Sequence, residues 1–522
     1  MDTRHPPIFT IFAPPVIDPM NLAIVSAAIF LYFAAVISLS LWAARKNRGS
    51  ADFFRGGRRS PWPVVAVAMV GTSISGVTFV SVPGMVEASA FSYLQMALGF
   101  VAGYAVIAFL LLPLYYRLNL TSLYEYLEMR FGLCSHKTGA VFFLLSKVLG
   151  CGVKMYLTAI VLQLVLFDPL GVPFAANVGL TMLLVWLYTF RGGVRSLVWT
   201  DMIQTLCMLG CVVLCIVFVC RAAGFSLAEG CRSIAESPMS RIWFFDDPRD
   251  TRYFWKQFLA GMFTTVAMTG LDQDMMQKNL SCRNLRESRR NVLSYGVAFI
   301  PVNLLFLALG VLLSGYAAAN GIHIAKPDDL FPTIACGTGT DGAQFMPPAV
   351  SLLFVLGLVS AAFSSSGSSL TSITTTFTLD ILKAGNRQDE AGLKRTRNLV
   401  HAGAAIVMGA VICAYRAIGD ESVINAVYTI SGYTYGPLLG LFLFGIITRR
   451  NPREAWVPPV CIASPLLCML LSANSEQWFG GWRIGFELLL INCALTMLGL
   501  WLAGLGRAGK RKTPADSQST GV

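Results

Sequence analysis

The segment AAFSSSGSSLTSITTTFTLD, Ala361–Asp380, places Ser or Thr at eleven of twenty positions directly after the apolar run AVSLLFVLGLVS. A hydroxyl is a hard, neutral oxygen ligand, and a helix face that repeats it suits a weakly held, readily released alkali cation. Ser364, Ser368 and Thr371 or Ser372 share one face by i, i+4 spacing, and Ala361, Ser365, Ser368 and Ser369 overlap it. A second cluster, Gly71, Thr72, Ser73, Ser75, Gly76 and Thr78, lies within AMVGTSISGVTFVSVPGMVEAS. Glycine, hydroxyl and β-branched residues together make a poor helix. An unwound turn there would release carbonyls that a cation or water must satisfy; close packing of small residues is the other use of such a stretch. Thr264, Thr265, Thr269 and Gly270 interrupt a third run, with Asp272 and Asp274 near its cytoplasmic end, where water can solvate them. Two charges stand inside apolar runs. Lys154 lies in SKVLGCGVKMYLTAIVLQ, where it snorkels, pairs with a carboxylate or faces a pathway. Asp201 lies in RGGVRSLVWTDMIQTL, where it caps its helix, pairs with Arg195 or serves an ion.

The elements that must position these residues are membrane helices. The chain has 522 residues, 55% hydrophobic and 13% charged, with mean hydropathy +0.62. Soluble domains carry about 25% charged residues. Hydropathy predicts an all-α polytopic membrane protein of about thirteen spans: 21–44, 63–88, 93–116, 138–166, 173–190, 198–220, 257–277, 292–316, 346–382, 398–415, 423–447, 455–472 and 484–506. The ninth is longer than a bilayer requires and should tilt or protrude. Of the forty Lys and Arg, 28 fall on one side of this layout and ten on the other, with Lys147 and Lys154 inside span four. That asymmetry predicts an external N-terminus and a cytoplasmic C-terminus in the cell (inner) membrane. The expected organisation is an external segment 1–20, one transporter domain 21–506, and a basic cytoplasmic tail 507–522. The net charge of +12 then reflects topology and anionic lipid, with no nucleic acid as partner.

Other classes find no support in the motifs. GTGTDG at Gly337–Gly342 has the letters of a dinucleotide fingerprint but follows no strand. There is no P-loop and no HExxH, and the four His at 5, 136, 323 and 401 are scattered over loops and helix ends, so no enzyme is expected. Cys207, Cys211 and Cys215 read as small apolar fillers of a helix. The first apolar run is too long for a signal peptide, and its basic residues follow it. Spans two and seven are both interrupted and each opens a unit of five, 2–6 and 7–11. That is the pattern of an inverted-repeat secondary transporter with its site at the midplane.

The chain resembles the sodium/solute symporter family, the group of the sodium/proline, sodium/sialic acid and sodium/galactose symporters. The carrying motifs are FRGGRRSPW, SISGVTFVSVPG, RGGVRSLVWTDMIQT, GLDQDMMQKNL, AAFSSSGSSLTSITTTFTLDI and GYTYGPLLGLFLFGIITRR, in family order over about 50–450. The resemblance implies a LeuT-type five-plus-five core with extra N- and C-terminal helices. It also implies sodium held by the carbonyls of Gly71, Ile74 and Ala361 and the hydroxyls of Ser364 and Ser365. A second sodium in some relatives would fall on Asp201, Ser364 and Ser368, but Gly367 departs from the hydroxyl those relatives carry. By the same likeness Ser73, Ser75 and Thr78 match hydroxyls that hold a substrate carboxylate in the sialic acid relative. The arginine of that relative aligns with Gly150, and Lys154, one turn along the same face, is expected to replace it, with Gln95 as a further donor. The expected activity is sodium-coupled import, by alternating access, of a carboxylate-bearing solute such as a sialic or sugar acid or an amino acid. A proton-coupled carrier, a neutral-sugar symporter and a transporter-like sensor or channel are the alternatives. The oligomeric state stays open, a monomer included.

Overall fold

The computed structural model describes residues 19–45, 49, 53–54, 56–337, 344–386, 388–416, 423–480, 484–485 and 487–505. The tail 507–522, the external segment up to residue 18 and the GTGTDG loop beyond Gly337 lie outside them. Among the described residues there is no β-strand, only an isolated bridge between Ser60 and Cys282.

Each expected span falls on helix. Among the described residues nine continuous helices are long and apolar enough to cross a membrane, and a bent pair, Trp62–Ser73 with Gly76–Gly84, makes a tenth. Spans five and thirteen are the shorter helices Phe174–Thr189 and Leu488–Ala503. Span seven is built in three pieces: Phe254–Thr265, a wider π turn Val266–Gly270, and Gln273–Asn279. Several helices run beyond the hydrophobic limits at the end rich in basic residues. Span four starts at Leu133, span six at Gly193, span eight at Leu285 and span ten at Glu390. Backbone hydrogen bonding continues into interfacial water, where polar side chains cost nothing, whereas hydropathy sees only the hydrocarbon.

The outward faces are apolar: Phe30, Leu399 and Ile406 are each more than 70% exposed. These are lipid-facing positions, because burial against protein is needed only on the inner face. The interior carries the unusual polarity. Every hydroxyl of span nine from Ser360 to Thr376 is buried. Spans three and seven approach backbone to backbone, since a Cβ at Gly103 would stand 2.6 Å from the Met262 carbonyl and 2.7 Å from Thr265 Cβ.

The two interrupted spans differ in how their broken turns are satisfied. In span two the last regular bond runs from Ile74 N–H to the Val70 carbonyl, 2.9 Å, and the next from Phe79 N–H to the Ser75 carbonyl, 3.1 Å. Ile74 and Ser75 are extended, and the helix bends by 59°. The carbonyls from Gly71 to Ile74 therefore have no i+4 donor in the ladder. In span seven the freed carbonyls are capped by side chains: Tyr115 donates to Gly270, 2.8 Å, and Tyr124 to Leu271, 3.1 Å. Asp272 then accepts from Asp274 N–H, 2.8 Å, and starts the next helix. Of the two breaks, the one in span two is the one that offers backbone oxygens to a ligand.

Candidate sodium and substrate site

The break in span two packs directly on span nine. A Cβ at Gly76 would lie 3.1 Å from Leu358 Cδ1 and 3.6 Å from Ala362 Cβ. Along span nine, most hydroxyls bond back to their own helix. Ser366 donates to Ala362, 2.8 Å, Ser369 to Ser365, 2.8 Å, Ser372 to Ser369, 2.9 Å, and Thr374 to Leu370, 2.7 Å. Ser365 donates to Ala362, 3.0 Å, leaving its lone pairs available. Ser364 Oγ, like Thr371 Oγ1 and Thr376 Oγ1 further along the helix, is buried with no hydrogen-bond partner among the described residues. A buried, unpartnered hydroxyl costs about 1–3 kcal/mol, so it marks a place where something else supplies the partner. Ala361, Ser364 and Ser365 lie on the helix that packs against the break in span two.

Beside the break opens a cavity whose lining includes Ser73, Ser75, Thr78, Lys154, Ser365 and Tyr295. Ser73 Oγ shares a hydrogen bond with Tyr295, to which Tyr104 also donates, 2.6 Å. Four of the five expected substrate contacts therefore share one cavity. Gln95 does not line it. Its amide donates to the Arg252 carbonyl, 2.8 Å, and its oxygen accepts from Phe244 N–H, 3.3 Å, so it ties span three to the loop before span seven. Gln95 sits in the first turn of its helix, where the 221–256 loop folds over it.

Two acidic residues expected to be solvated are in the interior. Asp272 and Asp274 are 2% and 3% exposed and line the same cavity. Lys147 lies between them, 2.9 Å from each carboxylate, and Tyr435 donates to Asp272, 2.5 Å. Lys147 and Lys154 are seven residues apart, on one face of span four. Only Lys147 has a carboxylate; among the described residues Lys154 makes no ion pair. Sequence reasoning missed this triad, although the i, i+7 lysines and the DQD triplet were its visible traces.

Asp201 is also paired, but not with Arg195. Lys278 Nζ is 2.5 Å from its Oδ2, and the side chains are 2% and 0% exposed. Thr72 Oγ1 hydrogen-bonds Lys278, and Ser368 Oγ donates to Asp201 Oδ2, 2.9 Å. Hydropathy places Lys278 in a cytoplasmic loop; the helix Gln273–Asn279, packed against spans two, six and nine, buries it instead. His136 and His401, taken as scattered, are both buried. His136 bonds Asp380, 2.8 Å, and His401 bonds Thr374, 2.7 Å, so both fasten the C-terminal end of span nine.

Two broken helices related as the first members of two five-helix units, with a polar cavity at their breaks, define a secondary transporter of the LeuT-like fold. The sodium:solute symporter family model matches residues 53–455, and the chain belongs to that family. It is a multi-pass, sodium-coupled symporter of a small solute. It is 27% identical to the sodium/sialic acid symporter NanT of Aliivibrio fischeri, over 87% of this chain and 89% of that one. It is also 27% identical to human sodium-coupled monocarboxylate transporter 1, over 82% of this chain and 68% of that one, and to the human sodium/iodide cotransporter, over 80% and 64%. In structure it is similar to a Na+-coupled sialic acid symporter in a substrate-bound outward-open state, with TM-score 0.77, 23% identity and coverage of 94% of this chain and 99% of that one.

Proposed function

We propose that the chain imports a carboxylate-bearing solute together with sodium across the cell (inner) membrane, with its N-terminus outside and its C-terminus in the cytoplasm. The observation that carries the substrate class is Lys154. It faces the cavity with no carboxylate of its own, while Lys147 beside it is matched by two. A half-buried ammonium left unpaired in the interior is costly, and a substrate carboxylate removes that cost. Ser73, Ser75 and Thr78 stand opposite as hydroxyl donors. The relatives named above point the same way, since sialic acid, monocarboxylates and iodide are all anions at neutral pH.

The charge balance supplies a reason for coupling. Lys147 and Lys154 against Asp272 and Asp274 make the cavity neutral. Sodium held by Gly71, Ile74, Ala361, Ser364 and Ser365 adds one positive charge, and the carboxylate adds one negative charge. Either alone leaves an unbalanced charge in a low-dielectric interior; together they cancel. Each therefore raises the other's affinity by the same factor. Sodium bound across spans two and nine would also brace the outward-facing arrangement. Its release into low cytoplasmic sodium would loosen that contact and free the substrate.

Reconstituted protein should take up monocarboxylates or sugar acids when a sodium gradient is imposed and should ignore neutral sugars. A proton gradient without sodium should not drive it. Uptake of a neutral sugar in place of every acid tested would overturn the substrate reading.

A further inference from the structure

The buried pair of Asp201 and Lys278 is built like an ion site with its ion attached to the chain. Four elements contribute: Asp201 from span six, Thr72 from span two, Ser368 from span nine, and Lys278 from the short helix Gln273–Asn279. The nitrogen sits among oxygens of the types that hold an alkali cation, one carboxylate and neighbouring hydroxyls. Its helix is anchored on both sides. Gln277 donates to the Phe54 carbonyl, 2.7 Å, and to Thr375 Oγ1, 3.0 Å. Asn279 accepts from Asn291, 2.9 Å, and from Ser288, 2.6 Å. The ammonium is therefore held in place rather than swinging through the site.

A second observation concerns position 367. A Cβ there would overlap the Tyr188 phenol, whose hydroxyl donates to the Phe363 carbonyl. Ser40 in turn bonds the Tyr188 carbonyl. The glycine is required by a tyrosine wedged against span nine, and a hydroxyl side chain has no room. Position 367 thus carries no hydroxyl, and the fixed positive charge of Lys278 stands beside Asp201.

We infer that Lys278 is a tethered cation standing where a second sodium would bind, so that each transport cycle carries one sodium. The inference rests on the sodium site proposed on spans two and nine. Asp201 Oδ1 has no protein partner among the described residues, but its carboxylate is already neutralised by Lys278. A sodium ion there would put a second positive charge beside the ammonium with only one carboxylate between them. The sodium on spans two and nine faces no such competitor.

Equilibrium binding of radioactive sodium to the purified full chain tests this without knowing the substrate. Wild type should bind one sodium per chain with a Hill coefficient near one. Lys278→Met exposes Asp201 and should raise the count to two. Asp201→Asn combined with Lys278→Met, which buries neither charge, should return it to one. Two sodium ions on wild type, or a Lys278→Met protein that still binds one, would overturn the inference. If Lys278→Met fails to fold, the wild-type and double-variant counts decide, and two on either overturns it. No bound sodium on wild type would instead remove the site on spans two and nine, a failure distinct from a count of two.

Discussion

Lys147 and Lys154 occupy the same face of span four, yet the structure gives them opposite duties, and replacing each by Met separates them. Lys147 bridges two carboxylates at 2.9 Å that are almost wholly buried. Removing its ammonium leaves two like charges without a counter-ion, and breaking a buried pair costs about 3–5 kcal/mol. Against a typical total of about 5–15 kcal/mol, that is a large fraction of stability. Lys154 has no such partner among the described residues, so Lys154→Met breaks no ion pair and should leave stability at or above wild type, since it removes an unpaired charge from the interior. Its effect should fall on transport. Losing one side of a buried, charge-assisted contact costs about 2–5 kcal/mol, which is about 30-fold or more in substrate affinity. The assay is thermal unfolding of both variants in detergent beside sodium-driven uptake in proteoliposomes. Lys147→Met should melt well below wild type; Lys154→Met should melt at or above wild type and fail to accumulate the acid. Equal destabilisation by the two substitutions would show that Lys154 carries a hidden structural partner. Undiminished uptake by Lys154→Met would remove the carboxylate reading outright.

Three further outcomes are expected. Ser364→Ala should raise the sodium concentration for half-maximal binding by about tenfold, equivalent to about 1.4 kcal/mol. Sodium-free stability should rise by about 1–3 kcal/mol, because Ser364 Oγ is a buried hydroxyl with no protein partner among the described residues; an unchanged sodium affinity would take this residue out of the site. Gln95→Ala should cost about 1–3 kcal/mol by freeing the 221–256 loop, with substrate affinity intact; a loss of affinity without destabilisation would return Gln95 to the cavity. Burial pushes the Asp329 carboxyl up to about 6 from 3.8. The folded state then binds its proton more tightly than the unfolded chain, so its ionisation opposes folding above about pH 6 and not below about pH 4. Melting curves of Asp329→Asn should exceed wild type at pH 7 and converge with it as pH falls through that window; a constant offset would refute the assignment.

The amino-acid sequence by itself determined what depends on local composition. Apolar runs longer than a bilayer's hydrocarbon must be helices there, because no other single segment satisfies its own backbone. The glycines and hydroxyls around Ile74 could not hold a regular helix, and the break lies there. The crowd of hydroxyls in span nine required a buried polar setting, and all of it is buried. What the tertiary structure decided are the pairings, because Coulomb attraction acts through space and leaves no period in the chain. Asp201 meets Lys278 across 77 positions, and Lys147 meets Asp272 across 125. Asp272, Asp274 and Lys278 were legible only as polar residues at the end of an apolar run. Whether such an end lies in water or turns back into the protein depends on what packs beside it. In span seven Tyr115 and Tyr124 cap the broken turn and direct the following helix inward. Gly367 shows the same division: the letter announces a missing hydroxyl, and only the Tyr188 ring, nearly two hundred residues earlier, explains why none can fit.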